Sequence, residues 1–135
     1  MAATRGDWKA LPLPAARKTI AFDRSYTAEE FLRIKEGSVP ERMEDKWFVF
    51  YEEPWLHFHR SWTGYCVYQL RFEPTEGGAR VAEVWVSRDA AQYRRTDDTL
   101  DELLLTALLD RRAGRKNREA WDQFLARLRM GRRAQ

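Results

Sequence analysis

Along this chain the spacing of apolar positions runs helical, then alternating, then helical again. Residues 1–16, "MAATRGDWKALPLPAA", have no period and hold two of the five prolines. They predict a loose N-terminal arm, pinned by Trp8, Leu11 and Leu13. A short strand is expected at Thr19–Phe22. In "TAEEFLRIKEG", Thr27 and Glu30 have the spacing of a capping box, Phe31 and Ile34 share a face, and Gly37 is a stop. The pattern therefore predicts a short helix over Ala28–Glu36, followed by a loop from Ser38 to Met43.

Residues 46–88 alternate instead. Strands are expected at Lys46–Tyr51, Trp55–Trp62, Tyr65–Phe72 and Arg80–Ser87, with "EEP", "TG" and "PTEGGA" as turns. Beyond Asp89, Leu100, Leu103, Leu104, Ala107 and Leu108 form one helical stripe, capped by Asp97 or Asp98 and ended by Gly114. Trp121, Phe124, Leu125 and Leu128 form a second, predicting a last helix over Lys116–Arg129. The expected fold is α+β: an antiparallel meander of four to five strands, a short N-terminal helix and two C-terminal helices packed on the sheet. Residues 17–130 form the domain, between the arm and a basic tail at 131–135.

Register can be argued from parity. Paired residues share a face, and a one-residue slip moves a whole apolar set to the other side. A three-residue loop Trp62-Thr63-Gly64 pairs Phe58 with Tyr68, Leu56 with Leu70 and Arg60 with Cys66. A three-residue loop Glu52-Glu53-Pro54 pairs Phe48 with Phe58 and Lys46 with Arg60. Placing Tyr68 beside Val84 and Leu70 beside Ala82 completes one face: Phe48, Phe50, Leu56, Phe58, Tyr68, Leu70, Ala82 and Val84. The helices should cover it. The other face then carries Trp47, His59, Val67 and Trp85 in one row, Val49, His57, Gln69 and Glu83 in the next, and Tyr51, Trp55, Arg71 and Val81 in the third. A face so rich in aromatics is seldom bare and marks an interface or a ligand site.

Composition narrows the function classes. With 44% apolar and 33% charged residues, the chain should fold as one soluble domain. One cysteine excludes a disulfide framework. No apolar run is long enough to span a bilayer, and no secretory leader is evident, so a cytoplasmic protein without membrane partners is expected. The net charge of +3 is uneven. Residues 111–135 hold nine Arg or Lys against Glu119 and Asp122. These cations suit a helix C-terminus, and they also suit an anionic partner such as nucleic acid.

His57, His59 and Glu83 are the candidates for proton transfer, although Gln69 is expected between His57 and Glu83. No activated nucleophile is expected, because Cys66 falls on the opposite face, and catalysis is left undecided. His57-x-His59 has a chelating spacing but lacks a third ligand nearby, so no metal and no cofactor is expected. Lys46 opposite Arg60 is electrostatically unfavourable unless an anion joins them; Glu44 and Asp45 are one source, a bound phosphate or carboxylate another. Trp47, Trp55 and Arg71 complete the expected ligand-binding set. Gly77-Gly78 lies in a hairpin with no following helix, so no phosphate loop is present.

"RMEDKWFVFYEEPWLHFHRSWTGYCVYQLRFE", with the preceding "FDRSYTAEEFLRIKEG", resembles a group of small bacterial proteins that carry similar "MEDKWF" and "HRSWTG" segments. The resemblance covers about Ile20 to Glu73. It implies no activity and transfers no functional residue. From the residues themselves, the favoured expectation is binding of a small anionic, nucleotide-like ligand by Lys46, Trp47, Arg60 and the histidines. The alternatives are a protein-interaction, immunity or accessory module that uses the aromatic sheet face, including as a homodimer, and a nucleic-acid binder that uses the basic C-terminus.

Overall fold

A computed structural model describes residues 2–94 and 97–133. It is an α+β fold around one antiparallel sheet. The strands are β1 (Arg17–Thr19), β2 (Ser25–Thr27), β3 (Trp47–Glu52), β4 (Trp55–Arg60), β5 (Cys66–Thr75) and β6 (Gly78–Ser87), and the helices are α1 (Ala28–Glu36), α2 (Asp98–Ala113) and α3 (Arg118–Arg133). The sheet order is β1-β6-β5-β4-β3, and β2 pairs with the far end of β6 along the same outer edge as β1. The edge strand expected at Thr19–Phe22 is thus split into two short pieces that flank it. Of the expected basic tail, residues 131–133 continue α3, and 134–135 lie outside the described residues.

The helix boundaries follow local chemistry. Thr27 accepts from the Glu30 amide while Glu30 accepts from the Thr27 amide, closing the capping box of α1. Gly37 ends α1 at φ +64°, where a Cβ would lie 2.1 Å from the Val49 carbonyl oxygen, so only glycine fits. That close approach lets Ser38 bond both ways with Val49 and cover the free edge of β3. Asp97 caps α2 through the Leu100 amide, and left-handed Gly114 ends it.

Two helices and the meander enclose the main core. Leu104, Leu105, Leu108 and Leu109 of α2 pack on Val49, Leu56, Phe58, Tyr68, Leu70, Val84 and Val86. Buried polar bonds fix α2 on the sheet. Asp101 accepts from Tyr68 Oη (2.9 Å), Tyr93 Oη (2.8 Å) and Arg88 Nη2 (2.6 Å). Asp110 accepts from Arg24 Nη2 (2.6 Å), Tyr26 Oη (2.8 Å) and Asn117 Nδ2 (2.7 Å). Through Asn117 the second cluster also positions the start of α3, because Asn117 Oδ1 accepts from the Ala120 amide.

The register differs from the parity argument in three places. β3 pairs with β4 through Glu52–Trp55, Phe50–His57 and Phe48–His59, so the connection has two residues, Glu53-Pro54, rather than three. Phe48 and Phe50 therefore leave the helix-covered face, and Trp47, Val49 and Tyr51 join it. Parity could not detect this, because residues 47–51 are apolar at every position and either alignment buries an apolar set. Between β4 and β5, Leu56–Leu70 and Phe58–Tyr68 pair as expected, but a bulge then pairs His59 with Cys66. Cys66 thus comes to the histidine face, and the expected Arg60–Cys66 pair does not form. Between β5 and β6, Tyr68 pairs with Val86 and Leu70 with Val84, and a bulge after Arg71 puts Val81 opposite Phe72 and into the core. Ala82 is displaced from the core face by this bulge, and Glu83 moves opposite Arg71.

The second sheet face is covered by the N-terminal arm. Ala3 packs on fully buried Phe48 and Phe50, with Ala10 and Val39 at the margin. The arm is held by Ala3 N to Glu36 O (2.8 Å), Leu11 N to Gly64 O (2.9 Å), Trp8 Nε1 to Ser61 O (2.6 Å) and the Arg5–Glu52 ion pair. Leu13 is buried, whereas Trp8 and Leu11 remain exposed.

Removing a buried acceptor should cost most. Asp101→Ala leaves the Tyr68 hydroxyl without its carboxylate and should lower unfolding free energy by about 3 kcal/mol in urea titration, with the slope unchanged. A second expectation concerns acid. Arg115 and the Thr27 amide hold Glu30 down to about 2 from a model-compound value of 4.5. The folded value lies below the unfolded one, so this contribution is complete above about 4.5 and is lost as pH falls toward 2. Glu30→Gln should therefore lose stability at neutral pH and show a shallower decline below pH 4.5, read by thermal unfolding across that range.

Candidate ligand-binding cleft

The loop from Ser38 to Trp47, the C-terminal half of α2 and the start of α3 enclose a cleft of about 900 Å³. Trp47 and Trp121 line it, together with the cations Lys46, Arg111, Arg112, Lys116 and Arg118. Among the described residues none of these five cations forms an ion pair. The cleft also contains Glu41, Glu44 and Asp45. Asp45 is committed to its own loop, accepting from the Glu41 and Arg42 amides at 3.0 and 3.1 Å. Three carboxylates therefore stand against five cations, and the field in the cleft still favours an anion.

Arg112 is the unusual member. Its Nη2 donates to Ser38 Oγ (2.9 Å) and its guanidinium lies 5.4 Å from the centre of the Phe58 ring, but its buried Nε has no partner. Burial, reinforced by neighbouring Arg111, pushes it down to about 10. A half-buried guanidinium with no carboxylate partner among the described residues costs stability, and it lines the cleft where an anion would offset its charge.

The sequence-predicted site residues separate into three groups. Lys46 and Trp47 line the cleft. Arg60 sits behind Trp47, its guanidinium 5.1 Å from the ring centre, and pairs in the ladder with Trp47 rather than Lys46. The like-charge clash that pointed to an anion there does not arise: the Lys46 backbone carbonyl instead accepts from the Ser61 amide. Trp55 and Arg71 lie in one row at the other end of the sheet, where Arg71 pairs with Glu83 at 3.2 Å. Glu83 also accepts from Trp85 Nε1 (2.6 Å), so it belongs to that row and not to the histidines.

His57 and His59 lie under the arm, stacked on Phe50 at 4.7 and 5.3 Å between ring centroids. Burial holds both below the ordinary histidine range, His57 down to about 4. Beside them, burial pushes the Cys66 thiol up to about 12, which makes it a poor nucleophile.

Sequence reasoning missed Arg111, Arg112, Lys116, Arg118 and Trp121 as site residues. Their signal was present as the run of cations after residue 110, but its direction toward the 38–47 loop depends on how α2 and α3 pack. Comparison with protein-family models, with curated proteins and with solved structures found no match. Among the described residues no helix is long and apolar enough to cross a membrane.

Arg112 offers a direct check on whether its charge is there for the fold. Arg112→Met keeps most of the stem packing and removes a half-buried charge that has no ion pair among the described residues. It should cost no more than about 1 kcal/mol in chemical denaturation, far less than Asp101→Ala.

Proposed function

We propose that the protein binds a small anionic ligand bearing a flat ring, nucleotide-like in chemistry, in the cleft between the 38–47 loop and α2–α3. The observation that carries this reading is the set of five cations, none of them in an ion pair among the described residues, around a cleft lined by two tryptophans. Arg112 and Arg111 would take the phosphate or carboxylate through their terminal guanidinium nitrogens. Lys46 and Lys116 would neutralise remaining charge, and Trp47 or Trp121 would stack on the ring. Arg60 contributes by holding the Trp47 ring. The volume is within the range of small-molecule sites. A cytoplasmic setting, where the lone thiol stays reduced, belongs to the same proposal.

The same cations also favour a second reading, a phosphate-backbone contact with nucleic acid. The interaction-module reading draws less support, since the arm already covers Phe48, Phe50 and the histidines.

Titration with nucleoside phosphates, followed by tryptophan fluorescence and calorimetry, separates these readings. The cleft reading expects saturable binding at one site per chain, weakened about 10-fold or more by Arg112→Met and by Lys116→Ala, with the fold intact. Trp121→Ala should lower affinity while leaving charge unchanged. Binding only to oligonucleotides, lost steeply as salt rises, would replace the small-ligand reading with the nucleic-acid one.

A further inference from the structure

The β4–β5 bulge assembles a set of side chains that regular pairing would keep apart. Continued regularly from Phe58–Tyr68, the ladder would pair His59 with Val67 and turn Cys66 to the other face. Instead Val67 is the extra residue and Cys66 pairs with His59. One donor atom from each of His57, His59 and Cys66 then lies within 4.8 Å of the others. All three are buried, at 7%, 1% and 0% exposure.

The hydrogen bonds leave two ring nitrogens unused. His59 Nδ1 faces the Gly64 carbonyl at 3.0 Å. Because a carbonyl only accepts, Nδ1 carries the proton and Nε2 keeps its lone pair. That backbone bond is the outer-shell contact that typically orients a ligating imidazole. His57 Nε2 faces Glu52 Oε1 at 3.9 Å. The remaining nitrogens, His57 Nδ1 and His59 Nε2, are buried and have no partner among the described residues. Stacking on Phe50 engages the faces of the two imidazoles but not their in-plane lone pairs. Buried polar atoms are ordinarily satisfied, so two orphans beside one thiol point to a bound group.

We propose that His57, His59 and Cys66 bind one borderline-soft first-row transition ion of the zinc class, leaving a fourth position for solvent or a small exogenous ligand. Two imidazoles and a thiolate match the nitrogen and sulfur preference of such ions. Around a tetrahedral centre the donor atoms sit roughly 3.3–3.7 Å apart, so the cluster closes by about 1 Å on binding. As the metal–sulfur bond forms, Cys66 releases its proton to solvent, and the thiolate offsets one of the ion's two charges. The charged groups that act on the cluster include Arg5 from the arm, which lies over the Phe50 ring at 4.9 Å, Glu52 from β3, which pairs with Arg5, and Arg17 from β1. The site lies on the opposite sheet face from the basic cleft and does not rest on the function proposed for it.

Cobalt(II) and zinc(II) titrations of the chelator-treated full-length protein test this. The expected result is one ion per chain, a thiolate-to-cobalt absorption band, displacement of cobalt by zinc, and a higher melting temperature with zinc. Cys66→Ala should abolish the band, and His57→Gln should weaken cobalt binding by at least about 10-fold. Should Cys66→Ala fail to fold, His57→Gln decides, since His57 is at the more open end of the cluster. A wild-type protein with no cobalt band and no zinc stabilisation, or a band that persists in His57→Gln at wild-type affinity, would overturn the proposal.

Discussion

The pairing of Glu52 with Trp55 sets the parity of β3 against β4, and both faces of the sheet follow from it. With that pairing, Val49 turns toward the helices beside Leu56 and Phe58, while Phe48 and Phe50 turn away beside His59 and His57. A sheet with large aromatics fully buried on both sides needs two covers. The helices supply one. The other is the N-terminal arm, whose few backbone bonds and Arg5–Glu52 ion pair suffice because the Phe48 and Phe50 surface beneath it is already apolar. The arm is thus part of the fold's second core.

The same double burial separates two kinds of chemistry. On the helix side, polar groups in the interior are matched: Asp101 and Asp110 each collect several donors and tie α2 to the sheet and to α3. Under the arm, His57 and His59 retain nitrogens with no partner. At the margin of the helix side, Arg112 is held in place by Ser38 and Phe58 but has no carboxylate partner among the described residues. The histidine pair and Arg112 are therefore the places where the two proposals rest, since buried polar groups are ordinarily satisfied.

The histidine cluster and the basic cleft both depend on irregularities or packing angles. The histidine–cysteine cluster needs a one-residue bulge, which rotates Cys66 from one face to the other. The basic cleft needs α3 to begin close to the 38–47 loop, and Asn117, bonded to Asp110, sets where α3 begins.

By itself the sequence determined the α+β class, the bounds of α1 through its capping box, the caps of α2, and the pairing of Leu56 with Leu70 and Phe58 with Tyr68. These are local or strongly patterned features, where one alignment buries apolar groups and its neighbour does not. It also singled out Lys46 and Trp47, which line the cleft, and flagged the cations after residue 110. Tertiary structure alone decided which aromatics of β3 face the helices, because Trp47 to Tyr51 are apolar at every position and parity carries no information there. It alone brought Cys66 to His57 and His59, and brought Arg111, Arg112 and Lys116 to Lys46, because each meeting joins residues far apart in the chain or displaced by a bulge. Periodicity reports which side of an element is buried, and it cannot report what lies against that side.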